Sequence, residues 1–227
     1  MVECNIMQRI FDIFFSLAGI FLLLPLFIPI SILLSCTGER EVFYRQNRIG
    51  HKGRDFYVLK FATMLKNSPS IGTGTITLKN DKRVLPVGKI LRKTKLNELP
   101  QLINILKGDM SIIGPRPLTK ETFNAYKKET QKIIKNIRPG LSGAGSIVFR
   151  NEEIFLEKSE DSVFFYNNTI APYKGDLEVW YANNNNLVNY FTLIFLTFYT
   201  VLFGNNKLFW YFFPHAPRPS GLLKEMF

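Results

Sequence analysis

IFFSLAGIFLLLPLFIPISILLSC, Ile13 to Cys36, carries no charged side chain. As one straight helix it would extend roughly 36 Å at ~1.5 Å per residue, ample for a hydrocarbon core of ~30 Å. Pro25 and Pro29 complicate a simple span, because each lacks an N–H and crowds the carbonyl four residues earlier, in the middle of the run. A sharp bend is expected there. It would leave two arms of ~18 Å, too short to cross a bilayer but long enough to enter one leaflet and return. Arg9 precedes the run and Arg40, Arg45, Arg48, Lys52 and Arg54 follow it, so both flanks are basic, as for a segment with both ends cytoplasmic. On these grounds a kinked span and a re-entrant hairpin both stay open. A third reading takes ILLSC, Ile32 to Cys36, as a bacterial lipoprotein processing site, although signal h-regions are shorter than this run. It would place everything after Cys36 outside the cytoplasm.

The 227 residues have room for one domain of ordinary size with an attached segment. Lys and Arg number 29 against 18 Asp and Glu, so the partners are expected to be anionic. The positive charge is dispersed among apolar segments rather than gathered on a recognition helix, which argues against nucleic acid and for a bilayer surface. Phe is abundant at 21, concentrated toward the two ends, and Trp is scarce at 2; lipid is the natural counterpart of such faces. Cys4 and Cys36 form no CxxC, and His51 and His215 lie far apart. A Cys/His zinc site is therefore not expected, reduced thiols are, and any metal would be held by oxygen, which points to Mg²⁺.

Beyond the apolar run, Glu41 to Gly50 alternates as a short strand and Phe56 to Phe61 reads as a second, with Lys60 near its end. Asn67 to Thr75 is loop by composition; its Gly72-Thr73-Gly74 opens no helix and is not taken as a phosphate cradle. Lys79 to Val84 is turn chemistry. A helix is expected around Gly88 to Lys93 and another from Asn97 or Glu98, with Asn97 as N-cap, Pro100 in the first turn and Gly108 closing it. Arg116 sits between Pro115 and Pro117, which fix the backbone and present the guanidinium for bidentate capture of phosphate. Lys120 to Ile137 reads as one amphipathic helix, and Arg138 to Glu153 as a Gly-punctuated loop with a short strand. From Trp180 to Asn206 there is again no charge, with Asn183 to Asn186 as a polar break. The aromatic-rich Leu187 to Gly204 is near the minimum for a span and suits an interfacial helix.

The fold expected is an α-rich α+β: a re-entrant helix-break-helix membrane anchor over residues 1–38, bent at Pro25 and Pro29, a small cytoplasmic catalytic domain with short strands and interfacial helices over 39–179, and an aromatic interfacial segment over 180–227.

KTKLNELPQL, Lys93 to Leu102, places one acid, Glu98, among Arg92, Lys93 and Lys95, beside an amide, Asn97. A helix start there also welcomes phosphate. Taken in order, MQRIFDIFFSLAGIFLLLP, VFYRQNRIG, YVLKFATM, NDKRV, VGKILRKTKLNELPQLINILKGDMSIIGPRPL and RPGLSG resemble the bacterial monotopic phosphoglycosyl transferases. The similarity runs from about Met7 to Gly143, and its segment from Arg92 to Leu118 is the most specific. The resemblance implies transfer of a sugar phosphate from a UDP-sugar to polyprenyl phosphate, with Mg²⁺, at the cytoplasmic face of the bacterial inner membrane. It also implies that the N-terminal run is re-entrant, and it leaves a homo-oligomer open. Carried over by residue, it assigns Lys60, Arg92 and Arg116 to substrate phosphate, Glu98 to magnesium and Asn97 to the reaction centre. There the family has an adjacent Asp and Glu, the Asp attacking phosphorus to give an acyl-phosphate. Asn97 departs from that pattern, and a neutral amide is a poor nucleophile. Three outcomes follow: Glu98 attacks, the lipid phosphate attacks directly, or the protein binds substrates without turnover. Ala62 stands where the family carries Arg, and Leu24 where it carries Ser before the proline.

Overall fold

The computed structural model describes residues 6–71, 81–157, 159, 161–204 and 206–226. Cys4 and the Gly72-Thr73-Gly74 segment lie outside these. The expected α-rich α+β composition is met: helices dominate, with two small two-stranded sheets.

Helix α1, Ile6–Cys36, runs through Pro25 and Pro29 as one element, with no interruption at the expected break. Each proline forfeits one hydrogen bond, but the turns after them are held from outside, where Phe27, Ile30 and Leu34 pack on Phe61 and Leu91. At the other end, Ser111 Oγ, the Ile112 amide and Tyr190 Oη all donate to Asp12 Oδ1, at 3.0, 2.9 and 2.9 Å. Arg9 donates to the carbonyls of Ile105 and Leu106 at 2.6 and 2.9 Å. Between these ends Ile20 and Leu23 pack on Val58, Leu102, Ile105 and Met110. One stripe of α1, at spacings of three and four residues, is thus sealed against the rest of the chain from Gln8 to Leu34. The remaining face, including Phe14, Leu17, Phe21, Leu22 and Ile28, is exposed and apolar.

Strands β1, Phe43–Ile49, and β2, Asp55–Phe61, pair antiparallel with Tyr44 opposite Lys60. Both follow the alternation in the sequence. Helix α2, Pro86–Lys93, starts on Pro86, where a missing N–H costs nothing. It crosses the end of the hairpin so closely that a Cβ on Gly88 would lie 2.2 Å from the Thr63 carbonyl oxygen. Helix α3, Gln101–Lys107, closes on Gly108 at φ 92° as expected. Its capping corrects the sequence reading. Asn97 makes no cap hydrogen bond: Lys95 turns left-handed at φ 61°, Leu96–Glu98 form a 3₁₀ turn, and α3 begins only after Pro100.

Strand β3, Ser111–Ile113, lies parallel to a later strand. The expected single helix over 120–137 is instead α4, Lys120–Asn124, and α5, Lys128–Ile134. Tyr126, between them, turns into the core and its carbonyl accepts from Gln131 Nε2 at 2.7 Å. Strand β4, Gly140–Ser142, completes the parallel pair with β3. The two strands approach so closely that a Cβ on Gly140 would lie 2.1 Å from the Gly114 nitrogen. Short helices α6, Ala144–Val148, α7, Glu152–Glu157, and α8, Ser162–Phe165, follow, and a π turn over Tyr166–Ile170 leads into α9, Ala171–Asn183.

The expected polar break follows, with Asn183 as the last residue of α9 and Asn184 to Asn186 outside either helix. The Asn186 side chain caps α10, Leu187–Phe203, and Gly204 ends it. This helix presents Tyr190, Leu193, Leu196 and Thr200 to the core and leaves Phe195, Phe198, Leu202 and Phe203 exposed. Its ring Phe191 meets Phe11 of α1 edge-on at 4.9 Å, so the exposed apolar faces of α1 and α10 adjoin. Helices α11, Leu208–Phe212, and α12, Leu222–Met226, end the described chain. The largest core cluster runs from Ile113 to Leu223 and includes the fully buried Leu177 and Tyr181 of α9.

Candidate active site

The β1–β2 hairpin, the 3₁₀ turn before α3 and the loop after β3 bring Lys60, Glu98 and Arg116 into one cluster. Arg116 Nη2 donates to Glu98 Oε1 at 2.8 Å, and Lys60 Nζ stands 4.0 Å from the same oxygen. The Glu98 side chain is 13% exposed, Lys60 16% and Arg116 35%. Arg92, the third expected phosphate ligand, is on α2 with Nη1 3.5 Å from Met64 Sδ, within the field of Glu98. Asn97 is buried, and its Oδ1 has no hydrogen-bond partner. Pro25 and Pro29 are in the second half of α1, where the turns after them pack on Phe61 and Leu91, the neighbours of Lys60 and Arg92.

Burial by itself would raise the pKa of Glu98, but Arg116, Lys60 and Lys95 outweigh it and hold the carboxyl well below the usual carboxylate range. Burial pushes Lys60 down to about 7, with Glu98 opposing the drop and Arg48, Arg116 and Arg92 adding to it. Glu98 keeps Arg116 firmly protonated, against the cost of its burial. One fixed negative charge is therefore surrounded by more positive charge than it can neutralise. The surplus suits an anion, and in a partly buried cluster each charge acts more strongly than it would in water.

The sequence reading missed Arg48 as a member of this group. Its Nη1 donates to the Pro117 carbonyl at 3.1 Å, fastening the loop that carries Arg116. Burial, then the nearby Arg116, pushes its guanidinium down to about 10, and its Nε is buried without an acceptor. The signal was available: Tyr44 pairs with Lys60, and the two-residue period puts Arg48 on the same face of the hairpin as Lys60.

Among the described residues, no cluster of three or more His, Cys, Asp or Glu side chains could hold a metal ion alone. Mg²⁺ does not require one, since it commonly takes one or two protein oxygens and completes its shell with substrate phosphates and water. A charged Glu98 and the unpartnered amide oxygen of the adjacent residue Asn97 are the donor types such a site uses. The arrangement suits chemistry on a phosphate ester: cations to bind a diphosphate and hard oxygen donors rather than thiolate or imidazole.

Comparison with known proteins places these features. Residues 3–204 match the bacterial sugar transferase family. The chain is 36% identical over 162 residues to the exopolysaccharide production protein ExoY of Sinorhizobium fredii, covering 65% of this chain and 71% of that protein. It is 37% identical over 143 residues to the UDP-N-acetylgalactosamine-undecaprenyl-phosphate N-acetylgalactosaminephosphotransferase of Aeromonas hydrophila, covering 62% of this chain and 34% of the relative. To the undecaprenyl-phosphate galactose phosphotransferase of Salmonella typhimurium it is 30% identical over 210 residues, covering 86% of this chain and 40% of the relative. The chain thus spans less than half the length of these two phosphotransferases. With the family match extending through the anchor helix, the acid among its cations and the Arg116 loop, the chain belongs to the bacterial sugar transferase family and is an enzyme of the phosphoglycosyl transferase kind.

Proposed function

We propose that the protein transfers a sugar 1-phosphate from a UDP-sugar to polyprenyl phosphate, releasing UMP, as the first membrane step in building a polysaccharide or glycoconjugate. The observation that carries this reading is Glu98, kept charged by Arg116, Lys60 and Lys95 in a pocket with surplus positive charge. Lys60, Arg92 and Arg116 would take the donor diphosphate and the lipid phosphate, and Arg48 would hold the Arg116 loop in place. Glu98 and Asn97 Oδ1 would hold Mg²⁺, which when bound supplies positive charge against the phosphate oxygens.

Two features favour direct attack by the lipid. No carboxylate stands at position 97, and Glu98 is ion-paired and weakly basic, a poor nucleophile. An oxygen of the lipid phosphate then attacks the sugar-linked phosphorus. The bond from that phosphorus to the bridging oxygen breaks, and UMP leaves with the electron pair. The same Asn97 also motivates a second reading, a catalytically silent protein that binds the nucleotide sugar or the lipid phosphate.

Its long apolar helix and the undecaprenyl phosphate named for its relatives mark the chain as a membrane protein. We place α1 as a re-entrant element in the cytoplasmic leaflet of the bacterial inner membrane. Support comes from its contacts: both its start, through Asp12, and its end, through Leu34, are fastened to the same body. A crossing helix would carry one end away from it. The adjoining apolar faces of α1 and α10 would meet lipid and hold the pocket near the headgroups.

The test is the acceptor dependence of UMP release by the purified protein in lipid nanodiscs. Direct attack predicts no UMP until polyprenyl phosphate is added, and Asn97→Asp then permits about one UMP per enzyme without acceptor. A burst from the unmodified chain without acceptor contradicts direct attack. Donor binding without UMP under any condition supports the silent reading.

A further inference from the structure

Behind the pocket lies a carboxyl group that the reaction above does not use. Glu178, on α9, is 1% exposed. It faces two backbone segments that meet above it. One is Gly114 to Arg116, after β3; the other is Gly143 to Gly145, at the start of α6. They are pressed together, with the Gly114 amide donating to the Ser142 carbonyl at 2.9 Å and the Gly140 amide to the Pro115 carbonyl at 2.8 Å. Gly145 leaves no space over the acid: a Cβ there would lie 2.5 Å from Glu178 Oε1. The amides of Arg116 and Gly145 both face the carboxyl group, though neither of its oxygens completes a hydrogen bond of regular geometry. A buried carboxylate loses stabilisation if the amides that face it move away, which favours their staying in place.

We infer that Glu178 is a positioning residue that sets the backbone of Arg116 from behind and so aims its guanidinium at the phosphate site beside Glu98. This rests on the reading of Arg116 as a phosphate-binding group. Lys174, one turn earlier on α9, makes the arrangement possible. It is 3% exposed, pairs with Glu152 Oε2 at 2.8 Å, and lies over the rings of Phe149 and Tyr166. Burial pushes the Glu178 carboxyl up to about 7, against the pull of Lys174 and the two amides. The titratable and charged groups that act on it are Lys174 and Tyr181 from its own helix, Arg116 from the loop, and Tyr126. The hold on Arg116 is strongest when Glu178 is charged, above about neutral pH, and is released as the acid is protonated below it.

The experiment measures Kd for UDP with Mg²⁺ by calorimetry on the full chain in nanodiscs, for the unmodified protein and for Glu178→Gln, from about pH 6 to about pH 8. The ratio of the two Kd values cancels the titration of UDP and of Lys60, which both proteins share. At the acid end the unmodified protein already carries a neutral side chain, so a ratio near one is expected, rising to about tenfold at the alkaline end. A ratio that is constant with pH, whatever its size, overturns the inference, since a merely structural loss would not follow the acid's titration. Should Glu178→Gln fail to accumulate, Glu178→Asp keeps the charge: its ratio is expected to stay within about threefold at the alkaline end, and a larger, pH-independent ratio again overturns the inference. Because the readout is binding, absence of UMP release from the unmodified chain counts against the proposed reaction and not against this role of Glu178.

Discussion

Replacing Glu98 by Gln removes the negative charge that faces Arg116 and Lys60 while nearly preserving the shape of the side chain. Glu98 lies 2.8 Å from Arg116 and 4.0 Å from Lys60. Two unit charges 4 Å apart attract by ~4 kcal/mol at an effective dielectric constant near ~20, and the carboxylate's own burial offsets part of that. Removing one partner of a buried pair costs ~3–5 kcal/mol. Arg116 is 35% exposed and regains water when it loses the acid, which sets the expectation at the lower end, ~3 kcal/mol. For a chain of this size that corresponds to a melting point lower by roughly 6–12 °C. The pKa of Glu98 is lowered in the folded state, so its contribution is complete above its unfolded value of ~4.3 and is lost only as pH falls through the lower folded value. The difference between the two proteins is therefore expected to persist from neutral pH to about pH 4.3 and to narrow in stronger acid. Thermal unfolding in nanodiscs measures this, and UMP release from the same samples is expected to fall by at least ~100-fold. A melting point within ~2 °C of the unmodified protein, together with an unchanged rate, would refute the placement of Glu98 at the centre of the site.

Three further expectations follow from the anchor and its contacts. Asp12→Asn weakens the three bonds that tie α1 to β3 and α10, and a loss of ~2 kcal/mol in thermal unfolding is expected; no loss would mean that these three bonds do not hold α1 in place. Gly88→Ala drives a methyl group against the Thr63 carbonyl and is expected to cost ~3 kcal/mol or more, read as a drop in folded yield; normal yield and melting point would contradict the close crossing of α2 over the hairpin. Cys36 is free and exposed at the end of α1, so in a Cys4→Ser background a membrane-impermeant maleimide should label it only after the cells are opened. Labelling of intact spheroplasts would mean that α1 crosses the membrane.

Local sequence rules located the elements whose cause is local. The β1–β2 hairpin follows from alternation, α3 ends on Gly108 because only a left-handed residue fits there, and Asn186 caps α10 after the asparagine break. The rules failed where tertiary contacts decide. The helix expected over 120–137 is interrupted because Tyr126 is needed in the core. Asn97 does not cap, because Lys95 and Pro100 fix the backbone on either side of it. The proximity of Lys60, Glu98 and Arg116 joins segments far apart in the chain. No periodicity predicts it, and the family resemblance was its only source. Arg48 was within reach of strand parity. Glu178 was not, since nothing in DLEVWY distinguishes an acid beneath a catalytic loop from one on a solvated helix face.

The most direct test of the account follows the sugar-linked phosphate itself. With the β-phosphorus of a panel of UDP-sugars labelled, the protein in nanodiscs containing polyprenyl phosphate is predicted to move label into the lipid fraction and to release an equal amount of UMP. Label that stays in water with every donor, or release of UDP in place of UMP, would contradict transfer of a sugar phosphate at this site.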